Sequence, residues 1–574
     1  MPTARQEKFD RIASAGAFDV VVIGGGINGI GVFRELALQG LRVLLVERSD
    51  FCSGCSAAPS RMVHGGLRYL ENGELSLVRG SLRERDALLT NAPHLVHPLP
   101  TAVPIVTVAT GLGNAVGKLL GRDGKPAARG ALAIKAGLTL YDWLTRKRRM
   151  LPTHTFRGKA ATRRTWPALS RWIRFSATYY DAWVSYPERL GIELIRDTED
   201  VAGECVALNY ATVARDANGK FGVRDDATGT PVLPVTARAL VNATGAWVDE
   251  TIGELAGADA PPMRLVSGTK GSHLVLDNPT LLAALNGHML LFENDDGRIC
   301  IAFPYLGRVL VGSTDIRVDR PRRVHCDEDE TTYLLASLRS MLPGIEISRS
   351  NIVFTYSGIR PLPQSDAAFT GRISRGYFVR RLDGEPPQFC MIGGKWTTFR
   401  AFAEHTANLV LRELGSHRRC DTVSLPIGGG KDHPSAPGLL VDQLVQRFDV
   451  SHDRARHLAD HYGTGASRVQ EHCARFPGEA PLGRGCPYTR GEIDFLTRHE
   501  YVLHLSDVVL RRTALAITGA LNAENLGAIV ETMQPALGWS ADTAARETQT
   551  LLAELETYHN VPAARLSDPY ETRE

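Results

Sequence analysis

The run FDVVVIGGGINGIGVFRELALQGLRVLLVE, residues 18–47, constrains the fold more than any other part of the chain. Residues 19–23 form a short β-branched apolar run, the pattern of a strand buried on both faces of a parallel sheet. Gly24, Gly26 and Gly29 follow as G-x-G-x-x-G. Ile30, Phe33 and Ala37 then recur at helical spacing, and Gly40 is a natural stop. Residues 41–46 read as a second strand with Glu47 at its end. Glycine at the first turn lets a pyrophosphate reach the backbone, and the helix N-terminus favours that anion. A carboxylate after the second strand can accept from ribose hydroxyls. The unit reads as dinucleotide-binding, the alternative being an ordinary βαβ unit with a glycine-rich turn. The motif alone does not separate FAD from NAD.

A chain of 574 residues exceeds what one core organises, so two or more domains are expected. Hydrophobic residues at 43% and charged residues at 22% fit a folded soluble protein. A net charge of +3 gives no basis for a nucleic-acid partner. Residues 1–16 lack the apolar core of a secretory signal, and no apolar run is long enough to span a bilayer. Nine cysteines in such a chain form no disulfide framework, which predicts a reducing cytoplasm.

The stretch CSGCSAAPSRMVHGGLRYLE, residues 52–71, opens with Cys52 and Cys55 in C-x-x-C spacing. No second ligand pair follows nearby, so a zinc site would need distant partners, and no metal is expected. A thioredoxin-like pair would begin a helix after its own strand, whereas a Ser/Ala/Pro loop follows here. Gly65 and Gly66 form a close-approach turn, and Arg68 and Tyr69 can offer a cation and a hydroxyl to an anionic substrate. With HGGLRYLE the chain resembles the FAD-dependent (aerobic) glycerol-3-phosphate dehydrogenases, in the fold group of the D-amino-acid oxidases. The resemblance continues through VNATGAWVD (241–249), KGSHLVL (270–276), GSTD (312–315), TYSGIRPL (355–362), GGKWTTFR (393–400), SLP (424–426) and RHEYVLHLSDVVLRRT (498–513).

The departures mark a divergent member. Ala246 replaces the proline of the family's V-N-A-T-G-P-W-V-D pattern. The loop Ser56-Ala57-Ala58-Pro59-Ser60-Arg61 stands where the family has S-S-x-S-S-K, so hydroxyls that would bond phosphate or ribityl oxygens are missing. Residues 179–190 lack the usual D-D-A-R-L, and Gly376 replaces an aspartate after Arg375.

The resemblance implies an α/β protein: a Rossmann-like FAD-binding domain interleaved with an antiparallel-sheet substrate domain, plus a mainly helical C-terminal domain. The limits are placed at 17–415 and 430–574. The flavin part is expected from the first unit, from residues 177–254 with a hairpin turn at Asn218-Gly219, and from residues 355–414. Residues 265–315 are expected to roof the flavin. In the last region Leu440, Leu444, Val445 and Phe448 line one helix face, and Leu505, Val508 and Val509 another.

The activity implied is oxidation of sn-glycerol 3-phosphate to dihydroxyacetone phosphate, by hydride transfer to flavin N5, with electrons passed to membrane quinone. Oxidising a secondary alcohol also needs a proton acceptor, and a phosphate dianion calls for arginines. The matched motifs place Gly24, Gly26, Gly29, Glu47, Ser56, Ser60, His64, Gly65, Gly245, Gly394, Lys395 and Thr397 beside FAD. They give Arg68, Tyr69, Arg375 and Lys395 to the substrate, Arg360 to the reacting oxygen, and His273 to the proton. Residues 133–149 combine Tyr141, Trp143 and a basic run, a pattern that suits a membrane interface as well as a core helix. The expected setting is cytoplasmic, peripheral on the inner face of the cytoplasmic membrane, with a homodimer left open. Alternatives are another polyol phosphate such as erythritol phosphate, oxygen as acceptor, or a catalytically weak flavoprotein sensor or assembly partner. A nicotinamide-dependent reductase would want a second G-x-G-x-x-G, which the chain lacks.

Overall fold

Six strands from three separate stretches of chain meet in one sheet, in the order Tyr377–Leu382, Gln388–Gly393, Thr236–Asn242, Ala17–Ile23, Val43–Val46, Val206–Leu208. The computed structural model describes residues 4–66, 74–108, 130–146, 150–215, 220–256, 263–294, 296–365, 373 and 375–566. All neighbours in this sheet are parallel except the outermost pair, a hairpin. Val20, Val21, Val22, Leu44 and Leu45 are fully buried, which is why these strands read as unbroken apolar runs. Helix Ile27–Leu38 lies against helix Phe399–Glu413. Gly31 permits the approach, since a Cβ there would sit 3.0 Å from Ala403 Cβ.

A second, larger sheet is mostly antiparallel and runs from Ile316–Val318 through Val266–Leu276 to Phe175–Val184 and Met62–Val63, with Ile352–Pro363 also paired to Val266–Leu276. Phe175–Val184 corrects one expectation. Residues 177–184 belong to this sheet, not to the cofactor sheet, laddered with Val96–Ile105 from Val96 opposite Val184 to Ile105 opposite Phe175. Val96–Ile105 carries Pro98, Pro100 and Pro104, and donors of residues two apart point to one edge. The missing donors therefore fall together, and the other edge keeps its full set. A small third sheet pairs Ala211–Arg215 with Phe221–Asp225. The turn expected at Asn218-Gly219 lies outside the described residues.

The last region is helical, with α-helices Leu439–Phe448, His452–Tyr462, Ala466–Cys473, Arg490–His499, Ala523–Leu537 and Ala541–His559 and a π-helical turn at Asp507–Arg512. Ser451, Thr489, Asn522 and Ser540 begin four of these helices, each side chain accepting an amide proton from the first turn. Leu440, Leu444, Leu505, Val508 and Val509 are buried, as their spacing predicts. The region docks on strand Ile352–Pro363: His559 stacks on Phe354 at 4.4 Å, and Arg565 Nη1 donates to Ile352 O at 2.7 Å. Among the described residues no helix is long and apolar enough to cross a membrane.

Candidate active site

The glycine motif sits at the C-terminal end of Ala17–Ile23, where the chain turns into helix Ile27–Leu38. Gly24 has φ +104°, and a Cβ there would lie 2.7 Å from Ala243 O. A Cβ on Gly29 would collide with the carbonyl of Gly24. Gly26 caps the helix without a side-chain bond, while Ser56 Oγ accepts from Ile27 N at 2.9 Å. The Glu47 carboxylate accepts from Gly25 N at 2.7 Å and Ser49 N at 2.8 Å. Burial raises its pKa, and those two amides partly offset the rise. Asn28 Oδ1 is buried without a hydrogen-bond partner among the described residues, and a Cβ on Gly394 would come 3.5 Å from Asn28 Nδ2. Bare glycines, a helix N-terminus, a carboxylate at the strand end and an unsatisfied polar atom fit a dinucleotide.

The second half of the site is one face of two paired strands. Thr269 stands opposite Arg360, Gly271 opposite Gly358, and His273 opposite Tyr356. Residues two apart share a face, so all six look the same way. A Cβ on Gly271 would collide with the Arg360 guanidinium, and one on Gly358 would sit 2.7 Å from Ala58 Cβ. The glycines thus admit an arginine and the loop after Cys55 onto this face. Tyr356 Oη donates to Pro59 O at 3.0 Å, and Ser60 Oγ is hydrogen-bonded to His273 Nε2 at 2.8 Å. The opposite face takes Lys270, 2.6 Å from Glu330 and 2.8 Å from Asp327.

Arg360 Nη1 donates to Asp315 Oδ1 at 3.0 Å and to Thr314 O at 3.2 Å, and Nη2 donates to Ser313 Oγ at 3.0 Å. Arg375 Nη2 lies 3.6 Å from Asp315 Oδ2. Lys395 begins the short turn before helix Phe399–Glu413. Burial lowers its pKa to about 7, with Asp181 and Glu74 working against that and Arg375 adding to it. Burial also pushes His64 down to about 3, helped by Lys395 and Arg375. Cys55 faces the same group: burial raises its thiol, while Arg360 and Arg375 pull it back. His273 stacks on Tyr356 at 4.7 Å and is held well below the usual histidine value by burial, then by Arg360 and Arg61.

The structure brings Lys395, Arg375 and His64 together, and Arg360 joins them through Asp315. Arg68 and Tyr69 lie outside the described residues. His64 N donates to Thr397 Oγ1 at 3.2 Å. Gly65 N donates to Asp181 Oδ1 at 3.0 Å, and a Cβ on Gly65 would collide with Tyr141 Oη, so this glycine makes room for protein. Gly245 and Gly394 have φ +64° and +89°. Asp315 and Asp181 were not among the expected site residues. Asp315 was visible only as the last residue of GSTD; it stands between strands Arg308–Gly312 and Ile316–Val318. Cys52 and Cys55 are free thiols; Cys52 is buried against Gly191 and Cys55 lines the cationic site. Among the described residues no group of three or more His, Cys, Asp or Glu is placed to hold a metal ion.

A sequence profile described as FAD dependent oxidoreductase matches residues 19–405, and one described as the C-terminal domain of alpha-glycerophosphate oxidase matches residues 420–544. The chain is 33% identical to a glycerol-3-phosphate dehydrogenase of Synechocystis sp., covering 93% of this chain and 95% of that one. It is 31% identical to D-erythritol 1-phosphate dehydrogenase of Brucella abortus, covering 86% and 94%. The fold is similar to the crystal structure of glycerol-3-phosphate dehydrogenase from Bacillus halodurans complexed with FAD, with a TM-score of 0.71, 23% identity and 99% of each chain covered.

Proposed function

This chain belongs to the FAD dependent oxidoreductase family, and from that premise we propose that it oxidises sn-glycerol 3-phosphate to dihydroxyacetone phosphate and passes the electrons to a quinone. The observation that carries the substrate reading is the half-buried cationic group formed by Arg360, Arg375 and Lys395 beside the dinucleotide corner. Three cations in one site, one of them held near neutrality, call for an anion. FAD would be held by the Gly24–Gly29 turn, Glu47 and Asn28, and would supply the hydride acceptor when bound.

The protein's part is binding, orientation and proton handling. Arg375, with Arg68, takes the phosphate. Arg360, fixed by Asp315 and laid across Gly271, orients the reacting oxygen and stabilises the developing alkoxide. Lys395 adds positive charge where the reduced cofactor gathers negative charge. His273 is the proton acceptor in this reading, with Nδ1 lacking a partner among the described residues. Burial, then Arg360 and Arg61, opposes an imidazolium there, so the proton is taken only as the substrate's C–O bond gains carbonyl character.

Quinone use implies contact with a membrane, and helix Ala131–Thr145 supports it. The helix is apolar on two sides: Leu138 and Tyr141 are buried, whereas Leu132, Leu140 and Trp143 are 50%, 39% and 52% exposed. The basic residues 147–149 that follow lie outside the described residues. We place the domain limits at 17–415 and 430–574, which the break between the two matched profiles supports. D-Erythritol 1-phosphate is the second reading for substrate, favoured by the Brucella abortus relative.

The test is a visible spectrum before and after anaerobic addition of each phosphate. Bleaching of the yellow protein by sn-glycerol 3-phosphate within turnover time is expected. Bleaching by D-erythritol 1-phosphate alone would move the substrate to the second reading, and no bleaching by either would remove both.

A further inference from the structure

The motif RHEYVLHLSDVVLRRT carries two arginines, Arg511 and Arg512, that reach back to the loop after strand Val43–Val46 of the cofactor sheet. Arg512 Nη1 and Nη2 donate to the two oxygens of Asp50 at 2.8 and 2.9 Å. Arg511 Nε donates to Asp50 Oδ2 at 2.5 Å. Asp50 is fully buried and also accepts from Phe51 N and Asn209 Nδ2, at 2.9 and 3.1 Å. Arg512 Nε and Nη2 also donate to Glu500 O, at 3.0 and 2.9 Å. Arg511 Nη2 donates to Asp507 Oδ1 at 2.6 Å, where Tyr210 Oη also donates. Tyr210 N in turn donates to Ser49 O at 3.0 Å.

Asp50 lies in the loop that shapes the dinucleotide corner. Glu47, which bonds Gly25 N, precedes it. Cys52 N donates to Gly25 O at 3.0 Å, and Ser56 caps Ile27 N. The loop therefore touches the glycine turn on both sides of Asp50. A buried ion pair adds little to stability, because desolvation offsets the attraction, but it holds one geometry, and removing one partner leaves a charge stranded. Two guanidiniums on one carboxylate fix the loop's height above the glycine turn.

We infer that Arg511 and Arg512 are positioning residues of the FAD site: the C-terminal helical region sets the cofactor-side loop through Asp50 and so sets FAD affinity. The inference rests on FAD binding by the family and not on the identity of the polyol phosphate. It is tested on the holoenzyme by FAD release on dilution, followed by flavin fluorescence, alongside Tm. Arg512→Met and Asp50→Asn are expected to raise the FAD Kd at least about tenfold. Arg512→Lys, which keeps one charged donor, is expected to recover part of the affinity.

Glu492→Gln serves as the control, because buried Glu492 is held by Arg454, His457 and Tyr462 within the helical region and touches no residue of the loop. It is expected to lower Tm and leave Kd unchanged. A Kd for Arg512→Met within about twofold of wild type would overturn the inference. So would a Glu492→Gln variant that loses FAD as readily as Arg512→Met. Should Arg512→Met fail to fold, Arg512→Lys decides: unchanged affinity sinks the idea, and weakened affinity at an unchanged Tm supports it.

Discussion

Arg360 and Arg375 share the carboxylate of Asp315, one guanidinium at 3.0 Å from Oδ1 and the other at 3.6 Å from Oδ2. A single acidic side chain thus holds the two arginines apart and steady. Asp315→Asn removes the negative charge and keeps the shape. Anion binding is expected to tighten, read as a lower inhibition constant for sulfate. kcat is expected to fall by about tenfold or more as Arg360 loses its orientation. A fall in both anion affinity and kcat would show that Asp315 serves folding and not alignment.

Arg375 is half-exposed and carries no other ion pair among the described residues. Arg375→Gln is expected to cost about 2 kcal/mol of phosphate binding, roughly thirtyfold in KM. The same variant should leave slow turnover of unphosphorylated glycerol unchanged. Equal losses on glycerol and its phosphate would place Arg375 outside the phosphate site.

Lys395 supplies a pH signature. Its pKa is about 7 in the folded protein, against an ordinary value of 10.5. The unfolded chain therefore binds more protons between those two values, and stability rises with pH across that window. Below it the cost of a charged Lys395 is fully present. The Tm gained by Lys395→Met in the FAD-free protein should be largest near about pH 6 and shrink toward about pH 10. Binding a phosphate-bearing inhibitor at about pH 8 should draw a proton onto Lys395, seen by calorimetry in buffers of different ionisation enthalpy.

Gly271 has no room for a side chain because Arg360 lies across it. Gly271→Ala is expected to displace the guanidinium and lower kcat/KM by about a hundredfold, with Tm reduced by only a few degrees. A neutral result would mean that Arg360 has another working position.

Leu140→Asp with Trp143→Asp removes two of the three exposed apolar side chains of helix Ala131–Thr145 without touching Leu138 or Tyr141. The double variant should lose co-sedimentation with anionic vesicles and quinone turnover, and keep activity with a soluble dye acceptor. Retained vesicle binding would move the membrane contact elsewhere.

The glycine unit was legible because all its constraints are local: a strand, a turn, a helix and a carboxylate within thirty residues. Phe175–Val184 was misassigned because a strand buried on both faces has the same pattern in either sheet. Its partner Val96–Ile105 gave little strand signal, since three prolines hide it. The glycines opposite one another at 271 and 358 acquire their roles from cross-strand register, and Asp315 acquires its role from arginines 45 and 60 residues away, which no local window contains. His273 was visible as a titratable residue, but its burial against Tyr356, Gly312 and two arginines was not.

The cofactor sheet takes its central strand from Ala17–Ile23 and a neighbour from Thr236–Asn242, and its far edge comes only at Tyr377–Gly393. A ribosome must deliver about two thirds of the polypeptide before that sheet can close. Until then strand Thr236–Asn242, already paired with Ala17–Ile23 on one side, keeps an open hydrogen-bonding edge on the other, a template for pairing with a neighbouring nascent chain.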